Sequence, residues 1–265
     1  MTASEPSAGD NKQLPLASPD EMRGILAALG AFVLWGLAPI YFKWLSHISP
    51  LEVISHRIVW SVIFVLTLVV LTRKTAQFVA IFRDRRRLVV FMATTVIIGG
   101  NWLTFIWAIA NDRILEASLG YYINPLVNIM LGMIFLKERL NKWQTVSVLL
   151  AVVAVAMLTI QAGYLPWVSL ILAFSFGFYA LLRKQTQVDS AVGLAVETSL
   201  LFPLALGFLL YASFTPVEAP PAAGVMTVGF DHELTSLLLL IATGVVTAMP
   251  LMLYATATRY LKLTT

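Results

Sequence analysis

The 265-residue chain is 59% apolar and only 12% charged, with a net charge of +4 and no cysteine. Soluble domains carry about 25% charged residues, so a water-soluble fold is all but excluded, and the lack of thiols excludes a disulfide framework or thiolate metal site. The positive balance does not point to nucleic acid, because Lys and Arg lie in short stretches between apolar runs rather than on one face.

Residues 1–20 are polar and rich in Pro, Ser and Ala, which predicts a disordered tail. They lack the basic start and small-residue cleavage site of a secretory signal, so the first apolar run is expected to remain as an anchor. Eight spans are then predicted, at residues 24–42, 51–72, 88–111, 117–136, 191–214 and 234–258, with two more inside residues 143–182. That last stretch is forty residues without a charge, twice the ~20 residues one span needs. The QAGYLP punctuation at 161–166 divides it. In lipid a helix satisfies its own backbone, so all eight are read as α.

Every Lys and Arg except Lys43, Arg57 and Arg113 falls on one side if the N-terminus is cytoplasmic. The loop at 212–233 carries acids and no cation, as an outer loop should. The RDRRR stretch at 83–87 reads as a basic loop that sets orientation and meets lipid headgroups. The expected partners are the lipid bilayer and a small-molecule solute, with no nucleic acid.

The second span opens with PLEVISHRIVW, residues 50–60, and so carries Glu52, His56 and Arg57 into apolar surroundings. An Arg or Asp at the centre of such a helix costs roughly 2.5–3.5 kcal/mol on insertion scales. Charges there need partners or a wet cavity, and a hydrated crevice shared by Arg57 and Glu197 is the expectation.

Sliding the chain on itself by 141 positions places Trp35-Gly36 on Phe176-Gly177, Lys43 on Lys184, His56 on Glu197 and Arg57 on Thr198. A shift of 147 lays residues 100–118 over residues 247–265. Five spans separate the two copies, so they run oppositely: an inverted repeat, the plan of secondary carriers. The predicted division is a tail at 1–20, a five-helix repeat at 21–162 and a three-helix partial repeat at 163–265. A complete version is expected to have two more spans.

Seven stretches carry a family resemblance: WGLAPIYFKWL (35–45), SHRIVWS (55–61), NWLTFIWAIANDRILEASLGYYINPL (101–126), FLKERL (135–140), PWVSLILAFSFGFYALLRK (166–184), GLAVET (193–198) and GVVTAMPLMLYATATRYLKLTT (244–265). Together they resemble the RarD group, the chloramphenicol-sensitivity proteins, of the EamA family in the drug/metabolite transporter superfamily. The resemblance implies two inverted five-helix repeats and an inner-membrane carrier.

Candidate binding or coupling residues are Glu52, His56, Arg57, Asn101, Trp102, Tyr121, Asn124 and Glu197. Glu52 and His56 share a helix face, whereas Arg57 is turned about 100° away. Arg57 reads either as the ligand of an anionic group or as a structural lock. His56 and Glu197 are candidates for proton coupling. Glu116 sits favourably near a helix N-terminus. Asn101, Trp102, Tyr121, Tyr122, Asn124 and Asn128 add polar and aromatic character to the third and fourth spans, and Asn124-Pro125 is expected to open the helix backbone. Small residues at Gly24/Ala28, Ala27/Ala31 and Ala173/Gly177 read as packing seams. Without a Walker A loop or HExxH, no ATP motor, zinc site or cofactor is indicated. A secondary carrier working by alternating access is therefore expected, not an enzyme. A nontransporting membrane subunit or sensor is the alternative, ahead of an intramembrane enzyme.

Overall fold

A computed structural model describes residues 18–163, 166–214 and 233–261. Most of the expected tail and the outer loop lie outside them. Nine helices and no strand occur among the described residues: α1 (Pro19–Trp44), α2 (Pro50–Leu71), α3 (Thr75–Arg83), α4 (Arg85–Ala110), α5 (Ile114–Leu136), α6 (Lys142–Ala162), α7 (Trp167–Thr186), α8 (Ser190–Phe214) and α9 (Leu234–Tyr260). All but α3 are long and apolar enough to cross a membrane. The fold is all-α, and the chain is a multi-pass membrane protein.

Local chemistry sets the helix ends where hydropathy does not. Ser18 Oγ accepts from the Glu21 amide at 3.2 Å, and the Glu21 carboxylate accepts from the Ser18 amide at 3.0 Å. This capping box, with Pro19 behind it, starts α1 before the apolar run and takes Pro19 and Asp20 out of the expected tail. Asp84 Oδ1 accepts from the amides of Arg86 and Arg87. The RDRRR stretch is therefore not a loop: Arg83 ends α3, and Arg85 to Arg87 form the first turn of α4. Residues 75–83, read only as connecting chain, form the nine-residue α3, which buries Ile81. Gly163, at φ +71°, supplies the left-handed cap that ends α6 and splits the forty-residue run. The backbone of α5 continues through Pro125, contrary to the expected opening.

Ion pairs sort the helix ends into two sets. At one end Lys43 meets Asp112 at 2.5 Å, and Arg113 meets Glu116 at 2.7 Å and lies over the Trp167 ring. At the other, basic end, Asp189 receives Lys74 at 2.7 Å and Arg259 at 3.5 Å, while Lys184 pairs with Glu138 at 3.0 Å. Each long helix thus runs antiparallel to its neighbour in sequence. Burial would raise the Asp189 pKa, but the Lys74 hydrogen bond and charge, with the amides of Val192 and Ala191, hold it below the ordinary aspartate value.

At the centre, α2 packs against α8; α1 lies on α9, α4 on α7, and α5 on α7, while α6 sits at the periphery against α5. The closest backbone approach is at Gly244, where a Cβ would fall 2.5 Å from the Trp60 carbonyl carbon and 2.8 Å from the Ser61 amide. Any side chain there would push α9 off α2. The predicted seams are used: Ala27 and Ala31 are buried on α1, and a Cβ on Gly177 would lie 2.6 Å from Val127 on α5. Large apolar side chains cover the outside, Leu26, Val33, Val96, Leu150 and Ile160 among them, as suits contact with lipid tails.

Two predictions follow from this packing. Gly244→Ala should cost ~1–3 kcal/mol by overpacking and lower the melting temperature in detergent, whereas Gly36→Ala, with open space around it, should leave it unchanged or slightly higher. For Asp189, a carboxyl whose pKa falls on folding stabilises the fold above its unfolded value of ~3.9, and loses that contribution as pH drops through the lower folded value. Asp189→Asn should therefore be less stable than the parent near neutral pH by ~0.5–1 kcal/mol, the scale of a partly exposed pair. The gap should close in melting curves taken below about pH 4.

Candidate functional site

A small cavity lies between α1, α2, α4, α5, α7 and α9. Its volume is about 40 Å³, room for a few waters. Arg57 enters it from α2. The guanidinium carbon lies 4.5 Å from the Trp102 ring of α4 and 5.2 Å from the Phe42 ring of α1. Such stacking suits the planar, weakly hydrated guanidinium. Arg57 is only 6% exposed, and its Nε has no hydrogen-bond partner among the described residues.

Four more predicted residues line this cavity: Asn101, Trp102, Tyr121 and Asn124. Asn101 Nδ2 donates to the Leu172 carbonyl at 3.0 Å and the Ser175 hydroxyl at 2.8 Å. It thereby fastens α4 to α7 across the lining. Asn124 is buried, and its Oδ1 has no donor among the described residues. Tyr121 faces inward, while its neighbour Tyr122 is 71% exposed and faces away. Asn128 lies one turn beyond Asn124 and donates from Nδ2 to the Tyr254 hydroxyl at 3.2 Å. Part of the lining is aromatic: Trp35 and Phe176 meet edge to face at 5.2 Å, and the Tyr254 ring behind them lies tilted against both.

Glu52 and His56 are buried on α2 but do not line the cavity. Glu116 is held by Arg113 in the first turn of α5. Glu197 is fully buried yet does not share the cavity with Arg57, which corrects the expected common crevice. The physical reason is a cation drawn inward from the helix end. Arg183 places Nε 3.7 Å from Glu197 Oε1, the Tyr179 hydroxyl donates to Oε2 at 3.1 Å, and the guanidinium lies 5.4 Å from the Phe91 ring. Gly193 makes the space: a Cβ there would stand 1.9 Å from Arg183 Nη1.

Arg183 is thus a functional candidate that the sequence reading treated only as an orientation signal. The available clue was the glycine one turn before a buried acid, near the only cations at that helix junction. Phe176 of the cavity wall touches Tyr179 at 5.8 Å, so one turn of α7 joins the cavity to this second buried charge cluster.

The arrangement is a polar, aromatic chamber inside a membrane bundle, and known proteins of similar sequence fit it. The EamA-like transporter family matches residues 22–160. The chain is 43% identical over 249 residues to an uncharacterized transporter of Vibrio cholerae, which covers 93% of this chain and 78% of that one. It is 41% and 40% identical over 243 residues to protein RarD of Salmonella typhimurium and of Escherichia coli, covering 92% of this chain and 80% and 79% of theirs. With a family match over more than half its length and such relatives, the chain is a membrane transporter belonging to the EamA-like transporter family.

Proposed function

We propose that this chain is a secondary carrier of a small solute, working by alternating access around the Arg57 cavity. The observation that carries the reading is the cavity's lining. It draws on α1, α2, α4 and α5 from one part of the chain and on α7 and α9 from the other, as a site at the interface of two repeats would. The contacts support boundaries near 21–162 and 163–265. Exchanging α1 with α7, α2 with α8 and α4 with α9 turns the α1–α9 contact into the α7–α4 contact and leaves α2–α8 unchanged. Trp35 and Phe176, matched in sequence, touch each other, as residues near a pseudo-twofold axis do.

In this reading the ion pairs of Asp189 with Lys74 and Arg259, and the Arg183–Glu197–Tyr179 cluster, close the basic end. With the N-terminus inside, that end is cytoplasmic and the membrane is the cell inner membrane. Glu197 then acts first as a fastening between α7 and α8. Coupling to protons through Glu197 requires that fastening to open, whereas coupling through His56 does not. The solute crosses chemically unchanged.

The native chain contains no cysteine, so a single reporter can be read without background. Ala38→Cys and Leu251→Cys, both on the cavity wall, should react with a membrane-impermeant thiol reagent in right-side-out vesicles and in inverted vesicles alike. Reaction from one face only, under every condition of pH and added solute, would favour a sensor or subunit and sink the carrier reading.

A further inference from the structure

The geometry points to the class of solute: we infer that the cavity, once widened beyond its present room for a few waters, binds an organic monoanion with a flat apolar body, its charged group held by Arg57. This rests on the cavity being the solute site.

Six other cations near helix ends have acids: Lys43 has Asp112, Lys74 and Arg259 have Asp189, Arg113 has Glu116, Arg183 has Glu197 and Lys184 has Glu138. Arg57 and Arg183 are the cations buried among the described residues, and of the two Arg57 lacks such a pair. It is 6% exposed, and no carboxylate pairs with it among the described residues. Trp102 and Phe42 cover the guanidinium without accepting its N–H groups. A ring face attracts the charge but leaves the hydrogen-bonding edge unused. That edge borders the cavity, and its Nε is buried without an acceptor.

Each property of the missing partner can be read from this. The guanidinium fork matches a carboxylate-type group, which it can hold through two parallel hydrogen bonds. One cation faces the cavity, so one negative charge balances it; a dianion would bury a second charge among aromatic rings. Trp35, Phe105 and Phe176 on the wall favour a flat apolar body. Asn124 adds a hydrogen-bonding amide whose Oδ1 is buried and unengaged, so a hydroxyl or amino group on the solute finds an acceptor there.

Benzoate, phenylacetate and mandelate, each beside its primary amide, test the inference on the purified full chain in detergent, with chloride varied separately. Millimolar acid should raise the melting temperature by ~3 °C or more, by binding the folded state alone, and the size-matched amides should not. Arg57→Gln should abolish the response and Arg57→Lys should retain part of it. Without ligand, Arg57→Gln should melt at or above the parent temperature, because an unpaired buried charge has gone. A structural lock would melt lower instead.

Equal stabilisation by acids and amides would overturn the inference. So would no response to any acid in the parent protein, a full response in Arg57→Gln, or chloride alone reproducing the acid effect. The comparison of acids with amides needs no variant, so it stands even where a substitution impairs folding. Acid binding in a protein whose cavity cysteines react from one face only would leave the solute class standing and remove the carrier reading.

Discussion

A guanidinium enclosed among lipid-spanning helices is the constraint around which this bundle is arranged. Arg57 cannot reach water along its own helix, because α8 and α9 cover α2 and Arg57 itself is buried. Two aromatic rings from α1 and α4 stack on it, and a small polar cavity takes up its hydrogen-bonding edge. These groups come from separate helices, so they form one environment only when the bundle closes. The charge is therefore tolerated where α1, α2 and α4 meet at one level, rather than being what draws them together.

Holding helices close enough to make such a chamber falls to small residues. Lipid tails are as apolar as leucine, so burial of apolar surface does not drive spans together; close van der Waals fit and hydrogen bonds do. Gly244 lets α9 meet the backbone of α2, Gly177 receives Val127 of α5, and Gly193 makes room for Arg183. Polar bolts join the same helices. Asn101 reaches the Leu172 carbonyl and Ser175, Ser169 donates to the Glu116 carbonyl, and the Tyr41 hydroxyl donates to the Leu239 carbonyl. Substitutions at the glycines would therefore disturb the cavity by moving whole helices, while substitutions at Asn101 would loosen one joint.

The spans were legible because their cause is local and large: a run of ~20 apolar residues has few other uses. Five of the eight chosen site residues share one cavity for a related reason, since a polar or aromatic side chain in the middle of a span faces other protein far more often than lipid. What was illegible depends on shape. Residues 75–83 are too short and mixed to announce α3, and its stability comes from Ile81 packing into the core. Helix ends set by Ser18 and Asp84 lie outside the apolar runs. Arg183 looks like any loop cation until Gly193 is seen to leave it space. Nor does pairing Arg57 with Glu197 follow from both being ionisable, because each environment is settled by a different neighbour.

The two buried cations resolve the same electrostatic problem in opposite ways. Arg183 has a permanent acid in Glu197, so its charge is matched in every solute state as long as α7 and α8 stay together. Arg57 has no such acid among the described residues, and in the proposed reading an anion entering the cavity neutralises it. A chamber of this kind is at its least favourable when empty and closed. In the proposed cycle the loaded form would tolerate occlusion better than the unloaded form, because the ligand would replace the water that closure expels. The direction of that difference follows from the single unpaired charge, whatever the apolar body attached to the anion. In the proposed carrier, an anion bound at Arg57 would favour the closed state through which both orientations must pass, and this would link the chemistry of one side chain to the movement of the bundle around it.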